Sequence, residues 1–114
     1  MCGICGIVSN KKIEPSIVKN MNSKLVRRGP DAEGYYEDIG VSVGMRRLSI
    51  IDLFSGQQPL YNEDKSIVLM LNGEIYNYIE LRHILKSKGH QLFTEGDGEV
   101  IIHLYEDYGV KCLD

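Results

Sequence analysis

Residues 1–10, MCGICGIVSN, are the stretch on which the fold turns. Positions 2–9 are apolar, β-branched and spaced by glycine, which suits a buried strand. No basic residue stands ahead of this short apolar run, so it does not read as a secretory leader. A strand that starts here puts Cys2 at the head of the chain. Cysteine is small enough for Met1 to be removed, and a freed α-amine titrates at about 7.7–8.0. Thiol and base would then belong to one residue, the logic by which a terminal amine activates a hydroxyl or thiol.

Cys2 and Cys5 also spell Cys-x-x-Cys, a spacing used in redox and zinc sites. Two physical points oppose that reading. A redox pair belongs at a strand-to-helix junction, whereas this one lies within the strand. Residues three apart in an extended strand point to opposite faces, so the two thiols cannot easily address one metal or each other. Zinc would need two further ligands, and Cys112, His83, His90 and His103 are scattered without ligand spacing. Cys5 and Cys112 therefore read as small buried hydrophobes, and no metal ligand is expected. An odd count of three cysteines without a leader implies reduced thiols.

At 114 residues the chain can enclose one small core. Hydrophobic and charged fractions of 43% and 25% are those of an ordinary soluble domain. A net charge of -3 speaks against a phosphate-binding surface, so no nucleic-acid partner is expected. The longest aliphatic stretch, 67–71, is far too short to span a membrane, and the expected location is the cytoplasm.

Outward from the first strand, Pro15 marks a helix start, and Ile17, Val18, Met21 and Leu25 repeat at helical spacing. That helix should end before Arg28-Gly29-Pro30-Asp31. Stretches 34–39 and 41–45 read as a hairpin around Gly40. Residues 48–52 are aliphatic, and Ser55-Gly56 with Pro59 breaks the pattern. Residues 67–71 read as a fully buried strand. A second helix is expected over 75–88, with Ile75, Tyr78, Ile79, Arg82 and Leu85 on one side and Gly89 as its stop. A short strand at 90–93 and a third helix over 98–108 follow, with Val100, Ile101, Leu104 and Tyr108 inward and Gly109 as stop. Strands and helices interleave without a Rossmann alternation, so the class is α+β.

Three further places could carry chemistry. Asn72-Gly73-Glu74 follows the 67–71 strand; Asn-Gly is a frequent tight-turn pair, but a side-chain amide beside a backbone N–H can also receive a developing oxyanion. Arg46 and Arg47 adjoin in an extended segment, so one should face inward while its neighbour is solvated, and Arg47, next to Leu48-Ser49-Ile50-Ile51, is the inward candidate. Asp97 precedes a helix, where a helix N-cap is the plainer role.

In order along the chain stand Met1-Cys2-Gly3-Ile4, Arg28-Gly29-Pro30-Asp31 with Gly34, and Arg47-Leu48-Ser49-Ile50-Ile51-Asp52. After them come Gly56-Gln57-Gln58-Pro59-Leu60, Asn72-Gly73-Glu74-Ile75-Tyr76-Asn77 and Asp97-Gly98-Glu99-Val100-Ile101. This ordered set resembles the class II glutamine amidotransferase domain, in its asparagine synthetase branch. The resemblance implies a partial N-terminal nucleophile hydrolase fold, αββα layers with antiparallel sheets and an incomplete second sheet. Residues 1–114 would be the N-terminal portion of the glutaminase domain, with the synthetase domain absent. It implies Cys2 as nucleophile with its own α-amine as base, and Asn72 with the N–H of Gly73 as oxyanion hole. Arg47 would bind the carboxylate of L-glutamine, and Asp97 with Glu74 its ammonium. Ammonia would pass to a C-terminal synthetase domain that uses ATP and Mg²⁺, while no cofactor is expected in residues 1–114.

Other functions remain open at this stage. The ammonia could serve another acceptor, such as an amino sugar or a uronic acid. The chain could also be a catalytically silent remnant, or a Cys-x-x-Cys metal or redox module.

Overall fold

The computed structural model describes residues 1–49 and 57–114. The expectations for residues 50–56, including the end of the aliphatic 48–52 run, lie outside the described residues. The described residues divide into two compact units, 1–49 with 57–59 and 70–72, and 60–69 with 73–114.

In the first unit, β1 (Gly3–Val8) and β2 (Ala32–Asp38) flank the central strand β3 (Val41–Arg47) in an antiparallel sheet. The register pairs Gly3 with Arg46 and Cys5 with Gly44 on one side, and Gly34 with Met45 and Ala32 with Arg47 on the other. Helix α1 (Pro15–Ser23) packs on one face, with Pro15 in its first turn. Gly44 makes room for it: a Cβ there would meet the Asn22 and Val18 side chains at 3.1–3.2 Å. Asn22 is fully buried and donates from Nδ2 to the Met45 carbonyl at 3.2 Å, so the helix is hydrogen-bonded to the strand as well as packed on it. The expected hairpin is present, longer by a few residues, and turns at Gly40 with φ of 76°.

In the second unit, β4 (Leu60–Tyr61) and β5 (Val68–Leu69) form a two-stranded antiparallel ladder. Helices α2 (Tyr78–Ser87) and α3 (Glu99–Tyr108) pack together, and among the described residues Leu60, Leu85, Val100 and Ile102 are the unit's buried apolar side chains. Helix α2 ends as its glycine requires. Gly89 takes φ of 99°, its N–H reaches the Lys86 carbonyl at 3.1 Å, and the His90 N–H reaches the Leu85 carbonyl at 3.1 Å. Gly109, with φ of 60°, ends α3, and a 3-10 turn (Gly109–Leu113) follows. Among the described residues no helix is long and apolar enough to cross a membrane.

Five expectations are corrected. The first strand is not buried as expected: Ile4, Gly6 and Val8 are exposed on the face turned from α1. The 67–71 strand is only Val68–Leu69, and both residues are half-buried. On α2, Ile79 is 60% exposed, leaving Arg82 and Leu85 as the buried face. On α3 the buried residues are Glu99, Val100, Ile102 and His103, while Tyr108 is exposed, so the inward face is turned from the expected one. Residues 90–93 form no strand, because carboxylates take their backbone donors. The Gln91 N–H goes to Glu63 Oε1 at 2.9 Å, and the Phe93 and Thr94 N–H groups go to the two oxygens of Glu99 at 2.7 Å each.

Glu99 is 1% exposed and titrates at about 2. Burial pushes its carboxyl up; His103, the Phe93 N–H and the Thr94 hydroxyl and N–H outweigh that. The three 2.7 Å donors carry more of this than His103, whose Nε2 stands 3.5 Å away. The interval from the usual 4.5 down to about 2 corresponds to about 3 kcal/mol of folding stability. Since the folded value lies below the ordinary one, that contribution is complete above about pH 4.5 and fades as pH falls towards 2. Glu99→Gln should lower stability in urea at pH 7 by about 2–3 kcal/mol. The deficit should shrink as the unaltered chain is acidified, and a deficit independent of pH would show that the charge is not what matters.

Candidate active site

The head of β1 and the end of β3 bring the first two site residues together. Alternation along β1 turns Gly3, Cys5 and Ile7 towards α1 and Ile4, Gly6 and Val8 away from it. Carried one step beyond Gly3–Arg46, the antiparallel register sets Cys2 across from Arg47, both on the face away from α1. The Cys2 sulfur lies against the next residue, accepting from the Leu48 N–H at 3.4 Å and facing the Leu48 carbonyl at 3.7 Å. Arg47 is 9% exposed, the inward member of its pair as expected. Arg46 is not simply solvated: it pairs with Glu33 at 2.8 Å and donates from Nε to the Gly29 carbonyl at 2.9 Å.

Arg28-Gly29-Pro30-Asp31, read from sequence as a helix stop, is a brace around these two residues. Arg28 Nε donates to the Cys2 carbonyl at 3.2 Å. Gly29 is buried against the Arg46–Arg47 backbone, where any Cβ would collide with main chain. The Asp31 N–H reaches the Arg47 carbonyl at 3.0 Å, and Asp31 Oδ2 accepts from the Ser49 N–H at 2.7 Å. The loop thus holds the main chain on both sides of Arg47 and behind Cys2.

Asn72 is exposed at the end of a tethered segment. Gln58 clamps its neighbour, with Nε2 donating to the Leu71 carbonyl at 3.0 Å and Oε1 accepting from the Leu71 N–H at 2.6 Å. The Gln58 carbonyl in turn lies so close over Gly34 of β2 that a side chain there would overlap it. The Gln58–Pro59 bond is cis. Ala32, Gly34, Met45, Arg47 and Gln58 line one narrow recess. Sequence reasoning missed the clamp; its only trace was glycine inside a strand pattern, which marks close approach of another backbone. Asn72 and Gly73 do not form the tight turn their pairing suggested, since a type I′ turn needs positive φ at both residues and neither has it.

Gly73, Glu74 and Asp97 belong to the second unit. Asp97 is not an N-cap: Gly98 holds that position, and α3 has no side-chain cap. Asp97 Oδ2 accepts from the Ile75 N–H at 2.7 Å, tying the segment of Glu74 to the loop ahead of α3. That loop is braced by buried Arg82, which reaches the Gly96 carbonyl at 3.3 Å and Glu95 at 3.2 Å. Glu74 and Asp97 are therefore brought into one locality.

Cys5 stands apart from Cys2. Its sulfur sits among the Val18 and Gly44 carbonyls and Asn22 at 3.7–3.9 Å, and burial pushes its thiol up despite the Gly44 contact. All three cysteines are free and half-buried, so Cys5 and Cys112 are less enclosed than expected. An open depression of about 810 Å³ at the opposite end of β1, between residues 9–13 and 37–42, is remote from Cys2 along the strand.

An antiparallel sheet whose first strand begins just after a cysteine, with a second small sheet and intervening helices, fits a partial N-terminal nucleophile hydrolase fold. The profile of the glutamine amidotransferase domain matches residues 1–114, and the chain belongs to that family. It is 44% identical over 113 residues to asparagine synthetase [glutamine-hydrolyzing] 1 of Bacillus subtilis, covering 95% of this chain and 18% of that protein. Asparagine synthetase [glutamine-hydrolyzing] 2 of the same organism is 47% identical over 119 residues, covering 100% and 16%. Asparagine synthetase [glutamine-hydrolyzing] 3 of Arabidopsis thaliana is 47% identical over 119 residues, covering 100% and 20%. The chain spans a fifth or less of the length of these relatives.

The clamp can be tested directly. Gly34→Ala should cost about 1–3 kcal/mol in urea denaturation, because the Gln58 backbone must move. Gln58→Ala, which removes two hydrogen bonds to Leu71 without touching Gly34, should cost a similar amount. A neutral Gly34→Ala would show that the close approach is not a constraint.

Proposed function

We propose that the chain is the glutaminase portion of a cytoplasmic asparagine synthetase, hydrolysing L-glutamine to glutamate and ammonia. The observation that carries the reading is the β1–β3 register, which, continued one residue past Gly3–Arg46, would set Cys2 opposite Arg47. Family membership and the glutamine-hydrolysing relatives supply the substrate class.

In this mechanism Met1 is removed, and Met1 is 72% exposed. The Cys2 α-amine takes the thiol proton, and the thiolate attacks the carbon of the substrate's side-chain amide. Asn72 Nδ2 and the Gly73 N–H receive the charge that develops on oxygen. The ammonium of Cys2 returns a proton to the leaving nitrogen, ammonia departs and a thioester remains. Water, deprotonated by the same amine, attacks the thioester to release glutamate and restore the thiol. Arg47 holds the substrate carboxylate, and Glu74 with Asp97 its ammonium. Ammonia then passes to a C-terminal synthetase domain that amidates aspartate with ATP and Mg²⁺; none of the residues named here takes part in that step.

Glutaminase rate measured beside intact mass tests the proposal. A form that retains Met1 should be inactive, because the Cys2 nitrogen is then an amide without a basic lone pair. Cys2→Ser should fail too, and Cys5→Ala should keep substantial activity. Full activity with Met1 attached would overturn the mechanism. In the longer protein, Asn72→Ala should lower glutamine-dependent kcat by about 10²–10³-fold and spare synthesis from added ammonia. Equal loss of both activities would make Asn72 a structural residue.

A further inference from the structure

We propose that Glu63, His90, His103 and Glu106 form a binding site for a divalent transition-metal ion, with zinc the ion their chemistry fits best. One ligand atom from each lies within 4.8 Å of all the others. Three segments of the second unit supply them: the β4–β5 connection, the residue that follows the glycine stop of α2, and one turn of α3.

Both imidazoles bring Nδ1 to the same two carboxylates, Glu63 and Glu106. His90 Nδ1 is 3.2 Å from Glu63 Oε1 and 3.9 Å from Glu106 Oε2. His103 Nδ1 is 3.3 Å from Glu63 Oε2 and 3.9 Å from the same Glu106 oxygen. Tetrahedral zinc, with bonds of about 2.0–2.2 Å, spaces its ligand atoms about 3.3–3.6 Å apart. The four separations bracket that spacing.

A carboxylate stands behind the distal nitrogen of each ring, hydrogen-bonded at His90 and in charge contact only at His103. His90 Nε2 lies 3.1 Å from Asp107 Oδ1, and His103 Nε2 lies 3.5 Å from Glu99 Oε1. At His90 that hydrogen bond fixes the ring, and a metal at Nδ1 would replace the contact this nitrogen makes with Glu63 at 3.2 Å.

A second observation points to a missing partner. His103 is wholly buried, and among the described residues neither ring nitrogen has a hydrogen bond of acceptable geometry. Glu63 is near enough to Nδ1 for a charge contact at 3.3 Å but lies outside hydrogen-bonding direction. A cation at the convergence point would satisfy that nitrogen.

The competing occupant is protons. Two imidazolium rings with centroids 4.9 Å apart would repel each other, whereas one dication answers the surrounding carboxylates without that repulsion. Two nitrogens and two carboxylate oxygens favour zinc over magnesium or calcium, which prefer all-oxygen sites.

The test is equilibrium dialysis of the chelator-stripped 114-residue chain against Zn²⁺, followed by metal analysis. One zinc per chain is expected, with ¹⁵N spectra showing coordination at Nδ1 of both histidines. His90→Gln should abolish binding. Asp107→Asn, at a side chain 25% exposed, should weaken it about 10–100-fold while leaving the chain folded by circular dichroism. A variant with Cys2, Cys5 and Cys112 all changed to serine should still bind. No zinc on the unaltered chain, or zinc lost with the cysteines and kept in His90→Gln, would overturn the proposal.

Discussion

The candidate site rests on the close approach of Gly29 to the backbone of Arg46 and Arg47. Only a residue without a side chain allows that approach. Around it, three hydrogen bonds converge on the main chain of Cys2, Arg47 and Ser49 from Arg28 and Asp31. A terminal residue would otherwise fray, since the first residues of a chain have few restraints. Here the carbonyl of Cys2 is held from one side and its sulfur meets Leu48 on the other. The nucleophilic role proposed for Cys2 would need such bracing, because attack geometry tolerates little positional error.

The second unit solves a different problem with carboxylates. Its ladder is two residues long on each side, too short to order the chain around it. Glu63 and Glu99 instead receive the backbone donors of residues 91, 93 and 94, which a neighbouring strand would have taken. Charged acceptors make short, strong hydrogen bonds, and Glu99 remains ionised inside the core because three such donors surround it. The same substitution of side chain for strand appears in the first unit, where Gln58 pairs with both backbone groups of Leu71.

Features set by local rules were legible in the sequence. Pro15 opening α1, Gly89 and Gly109 ending α2 and α3, Gly40 at the hairpin and the strand from Gly3 all follow from backbone chemistry at single positions. Strand alternation turned one of Arg46 and Arg47 inward, and the aliphatic run beside Arg47 singled it out. Features set by long-range polar contacts were not legible. Residues 90–93 read as a short strand, but Gln91 and Phe93 spend their backbone donors on distant glutamates. The inward face of α3 includes Glu99 and His103, which a purely apolar reading leaves out. His90 and His103 have no ligand spacing along the chain because folding, rather than one helix face, brings them together. Asp97 looked like a cap and proved to be a tether between segments, a role visible only once Ile75 is placed.

The pairing of β1 with β3 also bears on how this sequence can drift. Side chains alternate across a strand, so a single inserted or deleted residue between Gly3 and Val8 would either break the ladder or rotate Cys2 to the face occupied by α1. Substitution is a gentler change, since Ile4 and Val8 lie at least 40% exposed and can vary without moving the head of the strand. The distance in sequence from the first residue to the end of β1 is therefore more tightly restricted than the residues that fill it. Lineages descended from this chain should differ at Ile4 and Val8 and hardly at all in length.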